Sequence, residues 1–262
     1  MPELPEVEFA AGRLREAVVG RRIAAAAAFH PSLQRSLTPT ACDRLVGRQI
    51  AAVTRRAKIQ LITLDDGQVL EVHFRMTGDW ELGRADEPAP AYERVRLTCT
   101  DGTRVSLVDS RAFAVMRLHA AGEFLLPSLG PEPLSDAFTV DGFAAALANR
   151  RGPIKPVLLD QKVVAGLGNI YAAEALWVAR IHPTRPASSL SRARVTRLRD
   201  AIREVLNDAP AGRYYARAVD ARTDPETWRV YGREGESCTR CRRTIRRITQ
   251  AGRSTHYCPC QK

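Results

Sequence analysis

Leu129-Gly-Pro-Glu-Pro-Leu134 divides the chain into two regions with different patterning. Two prolines two residues apart remove backbone donors and fix φ, so neither a helix nor a strand ladder runs through this stretch. It reads as the start of a linker over 131–142. On its N-terminal side, Ile50 to Val53, Ile59 to Leu64 and Val69 to Phe74 read as short strands, the last two joined across Asp65-Asp66-Gly67. Val95, Leu97 and Cys99 alternate with polar residues before Asp101-Gly102 turns the chain into Val105 and Leu107. This patterning predicts a β-sandwich or flattened barrel over 1–130. On the C-terminal side the period becomes helical over Phe143 to Leu147, Val157 to Val164, Ile170 to Arg180 and Ser191 to Leu206. The short break Ala165-Gly-Leu-Gly-Asn169 brings two apolar helices close together, with Asn169 placed as an N-cap whose neighbouring amides suit a phosphate. The class is therefore α+β, with a helical domain over 143–228 and a separate tail over 229–262.

The 262 residues allow a substantial core and favour two domains over one. Lys and Arg number 40 against 29 Asp and Glu, a formal charge of +11, and most of the cations are arginine. Arginine forks onto phosphate, so a polyanionic partner is the first expectation, with a merely solvated basic surface as the bland alternative. No apolar run reaches the roughly 18 residues of a membrane span, and the acidic N-terminus has no secretory h-region. The expectation is a cytoplasmic protein. Four of the six cysteines lie in the last 25 residues, a pattern that suits a metal site better than disulfides in such a compartment.

In that tail, Cys238 and Cys241 have the two-residue spacer of a zinc knuckle, and Cys258 and Cys260 follow after sixteen intervening residues. Too few apolar residues lie between the pairs for burial alone to hold the segment, and metal is the usual remedy in modules this small. The second pair has a one-residue spacer, so His256 remains an alternative to one of the thiolates.

At the other end, Met1-Pro-Glu-Leu-Pro-Glu-Val-Glu8 starts a helix whose apolar face runs through Val7, Ala11, Leu14 and Val18 to Gly20. Carboxylates at a helix start are favoured by the dipole, so an ordinary capped helix accounts for them. The second reading is chemical. A small residue after the initiator methionine permits its removal, and Pro2 then carries a secondary amine that titrates near 8 and can attack an electrophilic sugar carbon.

Taken together, these segments resemble the bacterial formamidopyrimidine-DNA glycosylase and endonuclease VIII family. The resemblance covers nearly the whole chain. It rests on the N-terminal octapeptide, on Asp109-Ser-Arg-Ala-Phe113 as the family's wedge loop, and on the 129–134 linker. Ile154-Lys155 through Leu159-Asp-Gln161 to Gly168-Asn-Ile-Tyr171 resembles its helix-two-turn-helix, and Val230-Tyr-Gly-Arg-Glu-Gly235 with Gly252-Arg-Ser-Thr255 its zinc-finger hairpin.

The resemblance implies a bifunctional DNA glycosylase and abasic-site lyase that acts, as a monomer with one structural zinc, on duplex DNA carrying damaged bases or abasic sites. In a bacterium this places it on the nucleoid when bound to DNA. It makes Pro2 the nucleophile, Glu3 the general acid and Glu6 a supporting carboxylate. Lys58, His73, Asn169 and Arg253 match positions that grip phosphates, contacts that carry little sequence information. Lys155 joins this DNA-binding set, and Glu174 matches a position near the site. Met76, Arg111 and Phe113 match the three residues that fill the void left by a flipped nucleotide in the formamidopyrimidine branch. Taken singly, Met76 and Phe113 read as sandwich core. Two other functions share this scaffold: a lesion sensor without turnover, against which intact Pro2 and Glu3 speak, and an endonuclease VIII-like enzyme for oxidised pyrimidines. Gly212 to Trp228 is shorter than the family's damage-capping loop, which favours ring-opened purines over 8-oxoguanine.

Overall fold

The computed structural model describes residues 1–209 and 228–262. The chain forms two compact units that part after Leu126. The segment compared with the damage-capping loop lies, apart from Trp228, outside the described residues.

The first unit opens with helix α1, Leu4–Val18, and its strands are β1 (Ile23–Ala28), β2 (Ile50–Arg56), β3 (Ile59–Leu64), β4 (Val69–His73), β5 (Asp79–Arg84), β6 (Glu93–Cys99), β7 (Thr103–Val108) and β8 (Val115–His119). Two short helices, α2 (Pro31–Gln34) and α3 (Pro39–Leu45), follow β1. The strands form two four-stranded antiparallel sheets, ordered β1-β6-β7-β5 and β2-β3-β4-β8. One core joins them: Ala10, Ala11, Leu14 and Val18 of α1 pack with Ile62, Leu70 and Val72 of one sheet and Val95, Leu97 and Leu107 of the other. The apolar face of α1 is thus the one its 3.6-residue period defines.

Three strands lie beyond those that β-branched alternation picks out. β1 is an alanine run after Ile23, which carries almost no strand preference of its own and is held in place by pairing with β6. β5 and β8 are short and carry polar residues on one side, so each depends on its partner strand for its conformation.

The second unit packs α4 (Val140–Ala148), α5 (Ile154–Leu158), α6 (Asn169–Val178) and α7 (Arg192–Asn207) around Phe138, Phe143, Leu158, Leu167, Tyr171 and Leu198. The linker is fixed to this unit: Gly130 donates to the Gln161 carbonyl at 2.8 Å, and a Cβ there would meet the Lys162 carbonyl oxygen at 2.6 Å. Helix α5 is shorter than the apolar pattern suggests. After Leu158 the chain turns, and Gln161 ties that turn together by donating to the Leu159 and Leu167 carbonyls and accepting from Gly166. Gly168, not Asn169, is the N-cap of α6, because the Asn169 side chain is used elsewhere. The hairpin β9 (Arg246–Gln250) and β10 (Arg253–Tyr257) turns at Ala251 and Gly252, both at positive φ, as a two-residue primed turn requires. No helix among the described residues is long and apolar enough to cross a membrane.

Candidate active site and metal centre

In the first unit the N-terminus enters α1 through buried residues. Glu3 is only 2% exposed, and Glu6 accepts the Glu3 backbone N–H at 2.8 Å. This contact is one arm of a capping box: it spends the Glu6 carboxylate on fixing the backbone of Glu3. The terminal nitrogen belongs to Met1 in the translated chain and stands in for the Pro2 amine one residue on. Burial pushes it below its ordinary value, Lys58 and Arg111 act in the same direction, and Glu3 and Glu6 oppose them. A depressed amine is a better nucleophile at neutral pH because more of it is unprotonated.

Lys58 is buried in the two-residue turn between β2 and β3, which Ala57 makes possible with φ +52. His73, at the end of β4, accepts the Arg75 backbone N–H on Nδ1 at 2.9 Å. Burial, with Arg75 and Lys58 adding to it, pushes its pKa down to about 4. The ring is therefore neutral at physiological pH, and with Nδ1 accepting, Nε2 carries the proton. His73 is a neutral donor, suited to a phosphate oxygen.

Phe113 is 52% exposed, so its ring is not sandwich core. The Arg111 guanidinium lies 4.8 Å from the Phe113 ring centroid, and Met76 is half-buried in the turn between β4 and β5. Both segments converge on Asp109, a buried residue to which the sequence reading assigned no role. Its Oδ1 accepts from the Thr77 hydroxyl and the Arg111 N–H, and its Oδ2 from the N–H groups of Phe113 and Ala114. The signal for it was an acidic residue opening the Gly- and Pro-free stretch Asp109-Ser-Arg-Ala-Phe113.

In the second unit Lys155 is 1% exposed and lies under the hairpin. Its ammonium donates to Asn169 Oδ1 at 2.5 Å, the Ser254 carbonyl at 2.9 Å and Thr255 Oγ1 at 2.9 Å. The Asn169 amide nitrogen donates to the same Ser254 carbonyl at 3.0 Å. Lys155 thus clamps the start of α6 to the strand that bears exposed Arg253, and its charge does not reach the surface. Glu174, on α6, accepts the N–H groups of Arg229, Val230 and Tyr231, each at 2.9 Å, and burial pushes its carboxyl up despite them. It is an anchor for the segment entering the tail.

Cys238, Cys241, Cys258 and Cys260 place their sulfur atoms within 4.8 Å of one another. Tetrahedral Zn–S bonds of about 2.3 Å place sulfurs about 3.8 Å apart, so four thiolates in this cluster suit a closed structural zinc site. His256 is outside it: its ring packs edge-on against Tyr231, and the four sulfurs complete the set without it. The one-residue spacer is accommodated because Gln261 reaches back, accepting the Cys258 N–H at 2.7 Å and donating to the Ile181 carbonyl at 2.8 Å. The Trp177 indole N–H donates to Cys238 Sγ at 3.4 Å, the kind of outer contact that orients a ligand. Gln261 and Trp177 carry no motif and emerge only from packing.

Comparison with known proteins agrees over the full length. The Formamidopyrimidine-DNA glycosylase N-terminal domain profile matches residues 1–116, the H2TH domain profile of the same enzymes 129–215, and the zinc finger found in FPG and IleRS 235–262. The formamidopyrimidine-DNA glycosylases of Roseiflexus sp. (strain RS-1) and Herpetosiphon aurantiacus are 43% and 42% identical, each alignment covering 100% of both chains. The Lactococcus lactis FPG in complex with a FAPY-dG containing DNA superposes with a TM-score of 0.90 at 33% identity, covering 99% of this chain and 100% of that one. A MutM in complex with carbocyclic 8-oxo-G containing DNA gives a TM-score of 0.90 at 34% identity over 100% of both chains.

Proposed function

The chain belongs to the formamidopyrimidine-DNA glycosylase family, and from that membership we propose how its residues divide the work of a base-excision repair glycosylase acting on damaged bases in DNA. The observation that carries the reading is the head of α1, where Pro2 and the carboxyl of Glu3 are buried side by side and Glu6 fixes the Glu3 backbone. After removal of Met1, the unprotonated Pro2 amine attacks C1′ of the damaged nucleotide. The bond from C1′ to the base breaks, and the leaving base takes its proton by general acid catalysis from Glu3. Glu3, now a carboxylate, takes the proton from the Pro2 ammonium and passes it to the ring oxygen, so the sugar opens and an iminium forms between Pro2 and C1′. Loss of the acidified C2′ proton then expels the 3′ phosphate, and a second elimination expels the 5′ phosphate, so the strand is cut on both sides. Glu6 holds the Glu3 backbone and does not touch the substrate.

Lys58, His73, Asn169 and Arg253 act on phosphates, the first and last by charge and the middle two as neutral donors. Met76, Arg111 and Phe113 fill the void when the nucleotide leaves the stack. Lys155 and Glu174 serve by holding Asn169, Ser254 and the 229–231 segment in place. The zinc cluster is structural: Cys238, Cys241, Cys258 and Cys260 hold the ion, whose bonds supply the folding energy that the small apolar cluster of the tail lacks. The enzyme works as a monomer, in the cytoplasm on nucleoid DNA.

Borohydride reduction in the presence of abasic-site duplex tests the assignment. The protein with a free Pro2 terminus is trapped on DNA, and Pro2→Gly is trapped far less. Equal trapping by a chain that retains Met1 overturns the role of the Pro2 nitrogen.

A further inference from the structure

We infer that Asp109 is the positioning residue that joins the separate parts of the void-filling wedge into one rigid element, an inference that rests on the assignment of Met76, Arg111 and Phe113 to that wedge. The three residues come from two loops. Met76 sits in the β4–β5 turn, while Arg111 and Phe113 sit in the β7–β8 loop. Exposed loops of this kind do not hold an aromatic ring at a fixed place by their own propensities, and a wedge that yields cannot push a stacked base out of a duplex.

Asp109 supplies the missing constraint. It is 1% exposed, and its two oxygens accept four donors. On Oδ2, the Phe113 and Ala114 N–H groups are both held at 2.7 Å, which fixes the backbone that carries the ring. On Oδ1, the Arg111 N–H at 3.1 Å fixes the second filler, and the Thr77 hydroxyl brings in the neighbour of Met76 from the other loop. The surroundings reinforce the same geometry. Arg94 Nε donates to the Asp109 carbonyl at 2.7 Å, Ser32 Oγ donates to the Ala112 carbonyl at 3.0 Å, and Ala112 takes a left-handed φ of +54. In the other loop Arg75 is also left-handed at φ +56, and Gly78 allows the chain to pass Phe74, whose carbonyl oxygen a Cβ would meet at 2.8 Å. Each loop is bent into one shape, and the Asp109 carboxylate is bonded to both.

The chemistry requires a carboxylate. All four partners are donors, so the acceptor must offer lone pairs on both sides. The Thr77 hydroxyl can also accept, but the three backbone N–H groups can only donate, so an amide loses either the Arg111 contact or both the Phe113 and Ala114 contacts; Asp109→Asn therefore frees part of the β7–β8 loop while keeping the volume.

The experiment uses the zinc-loaded full chain in single turnover on two duplexes of the same sequence, one with a paired damaged base and one with a preformed abasic site. Driving out a stacked, paired base needs the wedge, whereas an abasic site has no base to unstack. Asp109→Asn should slow excision of the paired lesion at least ~10-fold more than it slows abasic-site cleavage, and placing the lesion in a mismatch should recover most of the loss. 2-Aminopurine beside the lesion should report the same defect as a slower rise in fluorescence. Thr77→Val removes only the tie between the loops and should give a smaller defect of the same pattern, which keeps the test open if Asp109→Asn folds poorly. Equal slowing on both duplexes by both variants, without recovery at the mismatch, overturns the inference. Phe113→Ala separates the two levels. If it leaves paired-lesion excision unchanged, the wedge assignment itself falls. If it slows excision while Asp109→Asn and Thr77→Val do not, only the role of Asp109 falls.

Discussion

The ammonium of Lys155 donates to Asn169 Oδ1 at 2.5 Å, inside the second unit rather than on its surface. A buried cation that donates to a side-chain oxygen, a backbone carbonyl and a hydroxyl holds α5, the start of α6 and β10 together, and removing it takes a donor from all three acceptors, of which the Ser254 carbonyl keeps the Asn169 amide. Lys155→Met should therefore lower stability by roughly 2–3 kcal/mol. It should weaken binding to every damaged duplex by the same factor, because Asn169 and Arg253 lose their common support. Thermal unfolding together with titration of two different lesions checks this, and a change confined to one lesion would place Lys155 in contact with the base.

Glu3 and Glu6 should separate in kinetics. Glu3→Gln should suppress base excision far more than abasic-site cleavage, because the acid matters most where a poor leaving group departs. Glu6→Gln keeps an acceptor for the Glu3 N–H, so both steps should survive it largely intact, while Glu6→Ala removes the contact at 2.8 Å and should cost about 1 kcal/mol of stability as well as activity. Single-turnover rates on lesion and abasic duplexes, with unfolding curves, decide the matter.

His73 should remain neutral throughout the working range. Its folded pKa of about 4 lies below the ordinary value of 6.5, so the group stabilises the fold fully above 6.5 and progressively less as pH falls from there toward 4. A histidine cation would add about one released counterion to DNA binding. The slope of log affinity against log salt should accordingly be the same at pH 6 and pH 8 in the wild type, whereas Lys58→Ala and Arg253→Ala should each reduce it by about one. A slope that steepens at pH 6 and no longer does so in His73→Gln would show a charged ring in the complex.

Chelation should unfold the tail and leave the first unit folded, since the apolar cluster around Val230 and Ile245 is too small to persist alone. Cys258→Ser should lower zinc content and DNA affinity together. His256→Ala should keep one zinc per chain, because the ring lies outside the sulfur cluster. Gln261→Ala should bind zinc more weakly, through loss of the contact that supports the one-residue spacer. Zinc analysis of the purified variants, alongside DNA titration, is the measurement.

Lesion preference is expected to favour ring-opened purines, and after them oxidised pyrimidines, over 8-oxoguanine. Gly212 to Trp228 offers little chain to wrap an extruded purine, and an opened imidazole ring weakens the bond to be broken. Single-turnover excision of each lesion from otherwise identical duplexes checks this. If 8-oxoguanine opposite cytosine proves fastest, recognition comes from another part of the pocket.

Patterns of local origin were legible in the sequence. The alternation in β3 and β4, the apolar face of α1, the proline-interrupted linker and the cysteine spacings each follow from residues within a few positions of one another, and each declares its element before the chain folds. Pro2 and the four cysteines could likewise be singled out from residue type and neighbouring residues, whereas Glu3 and Phe113 drew their roles only from the family resemblance. What only the tertiary structure decided depends on partners distant in sequence. The alanines of β1 become a strand because β6 offers a ladder. Lys155 is an internal clamp because Ser254 and Thr255 return to it across 99 and 100 residues. Asp109 meets Thr77 from another loop, Glu174 captures amides 55 to 57 residues away, and Gln261 makes a short cysteine pair workable. A polar side chain in a sequence shows what it can donate or accept. Which distant group satisfies it is settled only when burial excludes water and leaves that group as the partner.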